Sequence, residues 1–227
     1  MRFRPSPAVA RILPFAAYIG FIVLESLLPD GTIPRAWLYG MQVSLTGALL
    51  LWLWPHYAEL RPAPRDQPRP GRPGPLAWLA AAAVGIAVFI LWINLDLPWA
   101  RFGESRGLVE AAGEAPAVAV VALRVLGAVL IVPIMEELFW RSFLMRWIDN
   151  PRFLELAPQS ASWKAIIVSS VLFAAEHHLW LAGMLAGLAF ALLYRRTGSL
   201  WLVIAAHAVT NAALELWVWR TGSFQFI

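Results

Sequence analysis

The sequence predicts an all-α, polytopic transmembrane helix bundle of seven to eight spans, and three observations predict it. Of the 227 residues 60% are hydrophobic and only 14% charged, for a mean hydropathy of +0.64, against about 25% charged in an average soluble domain. Apolar runs long enough to cross a bilayer recur along the whole chain. Between them the basic residues collect in short segments, the pattern of loops retained on the cytoplasmic side. A soluble chain of this length exposes too much surface to hide so much apolar side chain. A soluble enzyme and a disordered chain are excluded, and with no cysteine so are a disulfide scaffold and a cysteine-based metal site.

A spanning helix needs about 20 mostly apolar residues, within roughly 17–25. The first such run covers 12–28, after Arg2, Arg4 and Arg11; no small-x-small cleavage site follows Pro29-Asp30, so an uncleaved span is expected. The second covers 37–57. Residues 58–75 read as a linker dominated by Pro, Gly and Arg, unable to form a helix and placed in the cytoplasm by Arg61, Arg65, Arg69 and Arg72. The third span covers 76–95, and the mixed-charge stretch 96–114 reads as a loop with a short interfacial helix. The fourth covers 117–135, interrupted by Arg124. Whether 138–148 continues it, re-enters the membrane or makes an eighth span is open at this level. The fifth and sixth cover 163–179 and 181–194, Arg195-Arg196 mark a cytoplasmic turn, and the seventh covers 200–219. Trp99, Trp163, Trp201 and Trp219, near span ends, read as an aromatic belt. The chain thus divides into N-terminal helices with their linker (1–115) and a motif-bearing region (116–227).

The net charge of +4 does not indicate nucleic acid. Seventeen of the eighteen basic residues are Arg, spread between apolar runs, with no basic helix or aromatic stacking module. No internal repeat or matching pair of Gly/Pro-broken segments supports a transporter.

Ionisable groups at membrane depth cost on the order of 2.5–3.5 kcal/mol each on insertion scales, so they mark function. Most of the deep ones fall in the C-terminal half: Glu136, Glu137, Arg141, Glu176, His177, His178 and His207, with Asn211 as a polar neighbour. Glu137 and Arg141, Phe173 and His177, and His207 and Asn211 are each spaced i,i+4, which places each pair on one helix face. His177 and His178 project about 100° apart, and the Phe173 spacing selects His177. Arg124 and Glu176 read as counter-charges or interfacial groups. Counted from the cytoplasmic starts of their spans, His177 lies about 20 Å deep and His207 about 10 Å. A common cavity therefore requires the fifth helix to tilt or start low.

Glu136-Glu137-x-x-x-Arg141, Phe173-x-x-x-His177 and His207-x-x-x-Asn211, in that order on apolar helices, resemble the CAAX protease and bacteriocin-processing family of intramembrane proteases. That family includes the Ras-converting CAAX prenyl endopeptidases. The context Pro133-Ile-Met-Glu-Glu-Leu-Phe-Trp-Arg-Ser-Phe-Leu is similar to the bacterial branch associated with exosortase sorting systems. The resemblance covers 117–219; the first hundred residues match only in being apolar and helical. It implies a glutamic-type intramembrane endopeptidase without a cofactor, acting on a protein or peptide substrate in the bilayer of a bacterial inner membrane. In that reading Glu136 is the general base, His177 helps hold the water, His207 and Asn211 stabilise the oxyanion, and Glu137, Arg141 and Phe173 support them. Two other readings use the same residues. Glu136, His177 and His207 are a plausible ligand set for a divalent metal, and the whole cluster could serve only packing in a non-catalytic scaffold or immunity-type protein.

Overall fold

The computed structural model describes residues 5–29, 32–61, 73–103 and 118–226. Most of the Pro/Arg-rich linker and the region expected to hold an interfacial helix lie outside the described residues. Seven long helical segments carry the fold: α1 (Pro7–Leu27), α2 (Arg35–Leu53), α3 (Pro75–Asn94), α4 (Val118–Trp147), α5 (Trp163–Ala175), α6 (Trp180–Thr197) and α7 (Leu200–Thr221). Among the described residues there is no β-strand, only an isolated bridge between Arg101 and Leu179. The chain is an all-α membrane bundle. α1, α3, α4, α7 and the segment Arg35–His56 that contains α2 are long and apolar enough to cross a bilayer, while α5, with 13 residues, is too short to do so alone.

Local chemistry sets the ends. Ser6 caps α1 by accepting from the Val9 N–H, with Pro7 in the first turn, where its missing N–H costs nothing. Ser162 caps α5 in the same way through Ala165. α6 stops at Gly198, whose left-handed backbone (φ 67°) lets its N–H close on the Tyr194 carbonyl before α7 begins.

α4 runs unbroken for 30 residues, about 45 Å at 1.5 Å per residue, so 138–147 continues the fourth helix and forms no eighth span. It is not uniform. Two π-helical turns, Gly127–Ile131 and Leu138–Leu144, flank the segment Val132–Glu137. Pro133 cannot donate a backbone hydrogen bond and its ring crowds the preceding turn; the wider turn just before it absorbs that conflict.

Helix contacts are made close by small residues. Gly85 of α3 lies against the Ala206 carbonyl and Val209 of α7, and Thr210 Oγ1 donates to the Gly85 carbonyl at 2.9 Å. Gly187 of α6 packs on Ser170 of α5, where an added Cβ would stand 3.0 Å from the Ser170 Cα. Such small-residue interfaces are how helices associate where no hydrophobic drive exists between them. The large apolar side chains left outside, among them Leu27, Trp37, Leu51, Leu76 and Leu79, form the lipid-facing surface.

At the end of the bundle that carries the Arg-rich loops, a polar network closes the core. Arg11 is 1% exposed; its Nε donates to Ser142 Oγ and its terminal nitrogen to Glu59. Ser142 also donates to Glu59, and Arg146 pairs with Glu59 at 3.2 Å. Burial alone would raise the Glu59 carboxyl, but Arg11, the Ser142 hydroxyl and Arg146 outweigh it and hold the group below the usual carboxylate range.

Candidate active site

The three motifs converge, though not as three helix faces. Glu136, Phe173, His177, His207 and Asn211 line one cavity of about 320 Å³. Glu137 and Arg141 lie behind its wall, 0% and 2% exposed. The expectation that Phe173 and His177 share a helix face is corrected. α5 ends at Ala175 and His177 lies beyond its cap, Glu176. Its ring folds back, with Nδ1 2.7 Å from the Phe173 carbonyl and the ring centroid 4.5 Å from that of Phe173. This return over the last turn lowers His177 toward the depth of His207, so the two unequal counts along the helices meet in one cavity.

The tautomer of His177 follows from its partner. A carbonyl only accepts, so Nδ1 carries the proton, and in the neutral ring Nε2 keeps a lone pair. Trp92 of α3 stands edge-on to the ring at 5.3 Å, and Gly183 of α6 leaves room for its Cβ.

Glu137 is the hub behind the site. Its Oε1 accepts from His207 Nδ1 at 2.8 Å, and its Oε2 stands 3.2 Å from Arg141 Nε. Arg141 lies 4.5 Å over the Phe173 ring and 5.5 Å over Phe190, and it reaches the Gly187 carbonyl at 3.4 Å. A planar guanidinium suits both the stacking and the fork. Phe190 also stacks on the His207 ring at 5.0 Å. The imidazole is thereby fixed in plane, with Nε2 turned toward Glu136, 4.0 Å from Oε2.

Glu136 differs from its neighbour in lining the cavity. It is 8% exposed, and among the described residues its buried Oε2 has no hydrogen-bond partner and no Arg beside it such as Glu137 Oε2 has in Arg141. An unpaired buried carboxylate oxygen is costly unless something in the cavity meets it. Asn211 commits one amide N–H to the Ala128 carbonyl at 2.7 Å, which lies in the first π-helical turn; the amide has a second N–H to offer.

The remaining candidates are not brought to the cavity in the same way. Glu176 is exposed, and His178 Nδ1 bonds the Phe102 carbonyl in the loop after α3. Ser169 and Ser170 donate back to the Ile166 carbonyl, so neither is poised as a nucleophile. Among the described residues no three His, Asp or Glu side chains converge as a metal-ligand group. In the metal reading of Glu136, His177 and His207 the two Nε2 atoms would be the ligating nitrogens, since the Phe173 carbonyl and Glu137 engage the Nδ1 atoms, with Glu136 Oε2 4.0 Å from His207 Nε2.

Sequence reasoning missed the N-terminal half of the cavity. Tyr18, Tyr39 and Gln42 line it from α1 and α2, with Gln42 Nε2 donating to the Tyr18 carbonyl at 2.9 Å. The signal was present as polar side chains inside apolar runs. Glu215 was missed as well: it pairs with Arg124 at 3.2 Å and accepts from Trp219 Nε1 at 3.1 Å. A buried Arg in a span requires such an acid.

Residues 118–213 match the family described as "Rce1-like: Type II CAAX prenyl endopeptidase Rce1-like". No curated protein and no solved structure matches the chain.

Proposed function

We propose that the protein is an endopeptidase for protein substrates at the membrane in which Glu136 activates the hydrolytic water, a reading supported by the match of residues 118–213 to the Rce1-like type II CAAX prenyl endopeptidase family within a membrane bundle. One observation carries this: a buried, unpartnered carboxylate oxygen facing a cavity, 4.0 Å from an imidazole nitrogen.

Water held between Glu136 Oε2 and the His177 Nε2 lone pair attacks the peptide carbonyl carbon. Its proton passes to Glu136 as the new C–O bond forms. The oxyanion accepts from His207 Nε2–H and the free Asn211 N–H. Donation from both nitrogens, Nδ1 to Glu137 and Nε2 to the oxyanion, requires the doubly protonated ring. Loss of one such donor costs about 2.7–4 kcal/mol in comparable hydrolases. Collapse then breaks the C–N bond, and Glu136 returns its proton to the departing amine. No acyl-enzyme forms. The membrane in question is the inner membrane of a bacterium, as the sequence context of Glu136 suggests.

The test compares newly formed protein termini in membranes that contain the native chain or Glu136→Gln at equal expression. Termini that depend on Glu136 identify the substrate and support the assignment. Identical sets of termini would favour a scaffold in which the cluster serves packing.

A further inference from the structure

Five of the helices that wall the cavity contribute residues from their non-cytoplasmic halves, while α6 lines it with Ala186 and Phe190 from its middle. The Arg-rich segment after α2 and the Arg195-Arg196 turn place those loops in the cytoplasm, which fixes the direction of each span. α1 and α7 then run outward, α2 and α4 inward, and α3 outward. Twelve of the eighteen basic residues fall on the cytoplasmic side in this arrangement and four on the other. α1 contributes Ile22 and Glu25 from its last turns, α2 Tyr39 from its second, and α3 Trp92 from its last. α4 contributes Arg124 from its second turn, and α7 Glu215 from its second half. All six lie toward the non-cytoplasmic end.

Glu136 and His207 form the floor. Arg124, Ala128, Val132 and Glu136 line one wall at intervals of four, so the floor lies about 18 Å below Arg124 at 1.5 Å per residue. Among the described residues exposure rises the same way, from 5% at His207 and 8% at Glu136 to 49% at Ile22. Below the floor the path is closed. Arg11, Glu59, Ser142 and Arg146 bond one another, and Tyr57, fully buried, donates to the Ala10 carbonyl at 2.9 Å.

We infer that the catalytic cavity is entered from the non-cytoplasmic face, so that its substrates are polypeptide segments presented on that side. The substrate part rests on the protease reading; the direction of access does not. The Arg124–Glu215 pair sits at the rim, where an incoming peptide meets the first fixed charges of the shaft.

The chain has no cysteine, which makes access directly measurable. Val132→Cys and Ala128→Cys place a thiol on the cavity wall, Ala58→Cys one at the cytoplasmic end, and Ser223→Cys one beyond α7. Each full-length variant is treated with a charged, membrane-impermeant maleimide in right-side-out and in inverted vesicles. Modification of the two cavity thiols and of Ser223→Cys only in right-side-out vesicles, with Ala58→Cys only in inverted ones, is expected. Cavity thiols modified from the cytoplasmic face, only by a lipophilic maleimide, or from neither side would overturn the inference, as would reversed labelling of the two end positions. Glu136-dependent termini should also map to segments exposed on the non-cytoplasmic side, and termini in cytoplasmic segments contradict the substrate assignment. If no such termini exist but the labelling holds, the protease reading fails and the direction of access stands.

Discussion

His207 Nδ1 lies 2.8 Å from Glu137 Oε1, so the second acid of the Glu136-Glu137 pair faces away from the cavity and holds the imidazole from behind. Two adjacent glutamates thus have separate tasks because successive residues on a helix point about 100° apart. Glu136 is left with an unpartnered oxygen. Glu137 is bound to His207 and to Arg141.

Glu137→Gln tests this division of labour. The amide keeps the shape but removes the carboxylate that accepts from His207 Nδ1 and pairs with Arg141. Turnover is expected to fall about 10²-fold, near the loss of one oxyanion donor, with little change in KM. Unchanged turnover would make Glu137 a packing residue only.

Arg141→Lys is not conservative at this position. The ammonium cannot stack on Phe173 at 4.5 Å while also facing Glu137 and the Gly187 carbonyl. Lowered thermal stability is expected, and Arg141→Ala should cost about 3–5 kcal/mol, the usual result of leaving a buried charge unpaired. A thermal unfolding series in detergent measures both.

Gly183→Ala addresses the placement of His177. The new methyl would stand 3.1 Å from the His177 Cβ, so the imidazole must shift by a few tenths of an ångström. Displacements of this order matter for a group that orients water. Activity should fall about tenfold while the unfolding temperature changes little. Equal activity would show that His177 is free to move.

The Glu59 network predicts an acid-labile bundle. Because the folded carboxyl is held below its usual value, its contribution is complete above the unfolded pKa of about 4.3. It is lost as pH falls through the lower folded value. Thermal stability followed from pH 7 down to 3 should drop in that window. Glu59→Gln should begin less stable at neutral pH and show a shallower fall.

The sequence made the architecture readable because apolar runs of spanning length and Arg-rich loops are one-dimensional signals. All seven long helices stand where those runs lie, and α4 alone extends well past its run, through Glu136-Glu137 to Trp147. The motif residues were legible for the same reason: charge inside such a run requires an explanation. What was hidden depends on contacts between distant segments. The end of α5 two residues before His177 is set by a local turn that periodicity does not reveal. The walls from Tyr18 and Gln42, the Arg124–Glu215 pair and the return of Glu137 to His207 join positions 24 to 91 residues apart, and no local pattern encodes them.

The most direct test of the account is the single-turnover rate of the full-length native chain and of Glu136→Gln on the substrate identified from its termini. Unfolding temperatures should be recorded beside the rates, with Glu176→Gln as a comparison. The account predicts a loss of at least about 10³-fold for Glu136→Gln, within the range assigned to a positioned acid–base group, with unfolding unchanged and Glu176→Gln near native. A folded Glu136→Gln protein that cleaves at the native rate would contradict it.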